Sequence, residues 1–127
     1  MAVATEARAD LVAALEAVSG VTVHAVAIPV PLPPCLVVTA GSPWQEPATV
    51  GGRLHTTLRM RVMCAVRDDL LHVDQLEQIT EDVVRVLPAG WAVDAVSAPA
   101  SLDTGAQGAV LVSEVQITGS FTEDPTP

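Results

Sequence analysis

Three histidines, two cysteines and fifteen carboxylates carry most of the reactive potential of this chain, and their spacing decides what they can do. His24, His55 and His72 show neither the His-x-His, the His-x-x-x-His nor the His-Glu-x-x-His spacing that sets two imidazoles on one side of an element. They do not read as a metal centre. Cys35 and Cys64 lack the Cys-x-x-Cys spacing, and both sit in apolar, strand-like sequence. They read as buried free thiols in a reducing compartment. Cys64 beside a histidine would make a nucleophile–base pair. It falls, however, on the apolar side of its strand with Met60, Val62 and Val66, where a thiol is core.

Ser42 and Ser113 are not in a Gly-x-Ser-x-Gly elbow. Asp68, Asp69, Asp74 and Glu77 could gather a cation, but the EF-hand pattern is missing. Carboxylates just before and within the first turns of a helix are ordinary capping and dipole chemistry. Asp103-Thr104-Gly105 matches the short aspartic-protease motif without its flanking pattern, so the match is one of chance. There is no Lys, Tyr or Asn, which removes Schiff-base and P-loop lysines, tyrosine acid–base catalysis and N-glycosylation. The expectation is a protein that is not an enzyme and holds no cofactor and no metal.

Six Arg against fifteen Asp and Glu give a formal charge of −9. Such a surface repels nucleic acid unless the arginines cluster. Trp44, Trp91 and Phe121 are the whole aromatic complement, too few for a base-stacking platform. Half the residues are hydrophobic, chiefly Ala and Val. Small core residues bury little area each, which favours oligomerisation as a further source of stability. The N-terminus has Glu6 and Asp10 in place of a basic n-region, so no signal peptide is expected. Ala17 to Gln45 contains no charged residue, yet Pro29, Pro31, Pro33 and Pro34 interrupt it where a spanning helix needs continuity. No membrane association is expected.

The elements that would position these groups follow from periodicity. Thr5 is placed to cap a helix to about Val18, with Leu11, Leu15 and Val18 as its apolar stripe and Gly20 as its stop. Val21 to Ile28 and Cys35 to Ala40 read as buried strands around a proline-rich loop. Gly41 to Gly52, with Pro43, Trp44, Pro47 and Gly51-Gly52, reads as a loop. From Leu54 to Arg67 the residues alternate over fourteen positions. Leu54, Thr56, Leu58, Met60, Val62, Cys64 and Val66 form one face; His55, Thr57, Arg59, Arg61, Met63, Ala65 and Arg67 form the other. A strand this long outruns the core of a small domain. A second helix is expected from Val73 to Leu87, stopped by Pro88 and Gly90. Strands are expected from Trp91 to Ala98 and from Ala109 to Thr122, joined as a hairpin through a turn at Asp103 to Gly108. The expected fold is α+β, two helices packed on a mainly antiparallel sheet in the order α-β-β-β-α-β-β, with 1–122 as a single domain and 123–127 as a flexible tail.

This layout resembles the tail terminator (tail completion, minor tail) proteins of long-tailed phages over nearly the full length. The resemblance lies in the N-terminal helix, the strand and proline-rich loop ending in Cys35-Leu-Val-Val, and the Trp44 loop ahead of the long strand Arg53-Leu-His-Thr-Thr-Leu-Arg-Met-Arg-Val-Met. It continues in the helix Gln75-Leu-Glu-Gln-Ile-Thr-Glu-Asp-Val-Val and the closing strand Val115-Gln-Ile-Thr-Gly-Ser-Phe-Thr-Glu. No motif carries residue roles across. The absence of Lys and Asn, with abundant Ala and Val, suits a GC-rich genome.

The resemblance implies a structural virion protein at the tail end, at the neck, present in the host cytoplasm during assembly. It implies a homo-oligomer, a hexamer ring that caps the tail tube protein, stops its polymerisation and offers the surface joined by the head–tail connector protein. DNA would pass through without specific binding, as the charge suits. Interface groups expected from the residues are Arg59, Arg61 and His55 on the polar strand face, and Trp44 as a loop anchor. Trp44 folded back on its own core is the alternative. A head–tail connector or other neck protein, or a small soluble ligand-binding module or enzyme, are the alternative functions.

Overall fold

A computed structural model describes residues 3–25, 33–68, 72–103 and 108–122. The elements are α1 (Val3–Leu15), β1 (Thr22–His24), β2 (Cys35–Val50), β3 (Arg53–Arg67), α2 (Val73–Val86), β4 (Trp91–Val96), β5 (Ala100–Asp103) and β6 (Ala109–Thr122). The prolines at 29 and 31, Asp69, residues 104–107 of the expected turn and the tail 123–127 lie outside the described residues.

The α+β expectation of two helices on a mainly antiparallel sheet is corrected. The molecule is mostly sheet: a six-stranded mixed sheet runs β1-β2-β3-β6-β4, with β5 also beside β6. Two differences account for the correction. β1 pairs parallel with β2, Thr22 opposite Cys35, which makes the sheet mixed. β5 pairs with β6 from Ala100–Val112 to Asp103–Ala109, adding a strand to the expected order. All four β5 residues are exposed, so the strand had no apolar alternation to announce it.

The expected loop Gly41 to Gly52 is mostly strand, and this is the largest single change. Gly51 and Gly52 both take positive φ, 60° and 79°, and close a two-residue hairpin between Val50 and Arg53. That geometry suits the right-handed twist of the flanking strands. β2 then runs back along β3 through Glu46–Thr57 and Cys35–Ala65. The ladder jumps from Ala40–Met60 to Gln45–Leu58, so Gly41 to Trp44 form a bulge. A Cβ on Gly41 would lie 2.9 Å from Arg59 Cβ, so glycine permits the approach there. Beyond Val37, β2 has no second neighbour among the described strands, and an edge tolerates Pro43 and Pro47. Long-range pairing with β3 thus overrides a local sequence rich in turn formers.

The two-faced strand is as its alternation predicts. Thr56, Leu58, Met60, Val62, Cys64 and Val66 are buried, whereas Leu54 at its start is exposed. Both helices cover this face. Ala7, Leu11, Leu15 and Val18 meet Leu76, Ile79 and Val83 over Leu36, Val38, Val62, Val115 and Ile117. Each buried Leu or Val contributes about 1.5–3 kcal/mol. α1 begins at Val3, so Thr5 lies inside the helix and is not its cap. α2 has His72 at its N-cap without a side-chain cap bond. Asp68 instead accepts a hydrogen bond from Ser101 Oγ on β5. On the opposite face Cys35, Val37 and Ala65 form a small second cluster with Met63 and Val112.

Candidate interaction surface

Three of the four expected interface residues share the sheet face away from the helices. His55, Arg59 and Arg61 stand on β3 opposite Thr122, Thr118 and Gln116 of β6. Each has a neighbour within the chain. His55 Nδ1 lies 2.8 Å from Thr122 Oγ1. Arg59 Nη1 donates to Glu46 Oε1 on β2 across 2.6 Å. Thr118, next to Arg59, donates through its hydroxyl to Asp94 on β4. Arg59, Arg61, Asp94 and Gln116 line a small cavity of about 50 Å³. The two guanidinium groups are therefore flanked by Glu46 and Asp94, and the row has little net charge. So balanced a row offers no concentrated positive charge for phosphates.

Trp44 does not join them. It lines a cleft of about 340 Å³ with Val38, Met60 and Arg8, on the side where α1 packs. It stays 44% exposed, so it is not a core residue. The bulge at Gly41 to Trp44 sets its direction, and strand alternation carried no sign of it. Glu46 and Asp94 were missed for a related reason: their role depends on which strands pair across the sheet.

The thiols are placed as expected. Leu36 pairs with Cys64 and Cys35 with Ala65, so the two cysteines occupy opposite faces of the β2–β3 ladder. Both are free and buried. Burial pushes the Cys64 thiol up to about 12, a nearby Thr80 hydroxyl opposing this and Cys35 adding a little. Burial raises Cys35 as well. Neither thiol is poised as a thiolate nucleophile. Among the described residues, no three His, Cys, Asp or Glu side chains gather as a metal site. No helix among them is long and apolar enough to cross a membrane.

The β2–β3 hairpin end is surrounded by solvent. Gln45, Pro47 and Thr49 on the helix side and Glu46 and Ala48 on the other are all exposed, as are Arg53 and Leu54. It forms an arm, built by the Gly51-Gly52 turn and anchored by the pairing of His55 with Thr122. No protein-family model matches this sequence, and no curated protein matches it.

Proposed function

We propose that this chain is a structural protein of a long-tailed phage, a tail terminator that caps the tail tube as a ring, the hexamer that the family resemblance implies. It stops tube polymerisation there and presents the surface joined by the head–tail connector protein, at the neck of the virion. It works without catalysis or cofactor, after assembly in the host cytoplasm. One observation carries the reading: past Thr122, the last described residue of β6, the β2–β3 hairpin continues through the pairs Thr49–Leu54 and Val50–Arg53 to the Gly51-Gly52 turn, with Thr49, Arg53 and Leu54 exposed. A hairpin tip that projects past its neighbouring strand is suited to meeting another chain. The order of helices and long strands supports the resemblance, and the −9 charge suits a ring through which DNA passes without binding.

The test mixes the purified protein with tail tube protein and with portal or connector protein, and images each by electron microscopy. Rings seated on tube ends with tubes of limited length support the terminator. Binding to the portal alone supports a connector instead, and binding to neither overturns both.

A further inference from the structure

On the sheet edge remote from the arm, β4 and α2 leave an apolar groove of about 300 Å³. Its floor and walls include Leu76, Thr80, Val96 and Pro99, and Glu77 and Glu81 stand on its rim. Val93 and Val96 pair with Ile117 and Val115, so both face the helix side. Val84 continues the row of Thr80 one turn along α2. These three valines are 39%, 46% and 39% exposed for Val93, Val96 and Val84, a run of apolar surface beside an edge strand.

The geometry points to the arm of a second copy of this chain as the occupant of that groove. The arm ends in Arg53 and Leu54, with Leu54 37% exposed. Leu54 supplies an apolar group for the valines, and Arg53 a cation for Glu77; Glu81 is already near Arg85, at 3.6 Å. A chain cannot serve itself in this way. The arm leaves the sheet beside Thr122, whereas the groove lies at Ser113 and Val115 of the same strand. Seven or more residues at about 3.4 Å each separate them, roughly 25 Å. Donor and acceptor patches are thus different surfaces of one molecule, which makes the contact heterologous, and repetition closes a ring or extends a chain. This inference names the subunit contact and rests on the oligomeric part of the reading above.

The experiment uses the full chain in two forms, one with Leu54→Cys and one with Val96→Cys, mixed, oxidised, and followed by non-reducing gels and solution mass, alone to about 1 mM and with tail tube protein. A disulfide dimer in the mixture, absent from either form alone, is expected. Arg53→Glu should weaken association about tenfold, and adding Glu77→Arg should restore it to within about threefold. Oligomers that form without this disulfide overturn the contact but leave the ring standing. The disulfide without tube capping keeps the contact and sinks the tail function. Val96→Cys captured by tube protein in place of a Leu54→Cys copy, or no association in any sample, overturns the contact.

Discussion

Arg59 on β3 and Glu46 on β2 are joined side chain to side chain across the bulged end of their ladder, Nη1 to Oε1 2.6 Å. A residue with the appearance of a free cation on a strand face is thus held within its own sheet. The pair is 31% and 53% exposed, so solvent screens it, and such pairs contribute about 0–1 kcal/mol. Arg59→Glu should lower stability by about 1 kcal/mol or less, because it sets two carboxylates side by side. The swap Arg59→Glu with Glu46→Arg should recover most of it. Urea denaturation of the parent and the two variants checks this, and equal midpoints for the single and double variants would contradict the pairing.

Gly119 allows two aromatic rings to meet over the sheet. Trp91 opposite it and Phe121 beyond it pack edge to face, centroids 5.2 Å apart. A Cβ on Gly119 would lie 2.9 Å from Trp91 Cε3 and closer still to the Phe121 ring. Gly119→Ala should therefore cost about 1–3 kcal/mol as overpacking. Near-ultraviolet circular dichroism of the indole should change with it. A variant as stable as the parent would show that the rings can part cheaply.

The sequence was most legible where one face of an element is buried. The alternation from Thr56 to Val66 and the spacing Leu76, Ile79, Val83 each report burial directly, and the limits of β6 fell where they were expected. Legibility failed where long-range pairing decided. Gly41 to Val50 carries two prolines and a glycine on a strand edge, so local composition argued for a loop while β3 supplied a ladder. The placing of the four expected interface residues divides in the same way: Arg59, Arg61 and His55 share a face through alternation, but Trp44 sits in a bulge and lines a cleft on the helix side.

The two tryptophans should separate experimentally. Trp44 is 44% exposed in a cleft, while Trp91 packs on Phe121 beside the core. Trp44→Ala should cost about 1 kcal/mol or less, and Trp91→Ala about 2–3 kcal/mol, below the full range for a completely buried ring. Thermal denaturation gives the order. Acrylamide should quench the protein with Trp44 alone more strongly than the protein with Trp91 alone. Larger destabilisation from Trp44→Ala would mean that its indole belongs to the core.

Duplex DNA should not bind measurably at physiological salt. Non-specific binding requires several cations to neutralise phosphates and release counterions. Here six arginines face fifteen carboxylates, and Arg59 is already opposite Glu46. An anisotropy titration at low salt decides; tight, salt-sensitive binding would overturn the charge argument and the passive ring together.

Cys64 and Cys35 should not react with a maleimide or a disulfide reagent in the native protein, and both should react after unfolding, since both are buried and lie on opposite faces of the ladder. The same burial fixes a pH dependence. The folded Cys64 thiol titrates at about 12, above the ordinary thiol value of about 8.5. Below about 8.5 the thiol is protonated in both folded and unfolded chains, and its contribution to stability is fully present. Between about 8.5 and about 12 the unfolded chain releases the proton while the folded chain keeps it. The unfolded state then binds fewer protons, so stability falls as pH rises, by at most about 1.4 kcal/mol per pH unit for one thiol. Cys64→Ser would introduce a polar group into the core and obscure the effect, so Cys64→Ala is the better comparison. Its midpoint should be lower than the parent's at pH 7 through lost packing, and should fall less steeply from pH 8.5 to 10.5. Parallel curves for the two proteins over that interval would show that the Cys64 thiol ionises as readily folded as unfolded.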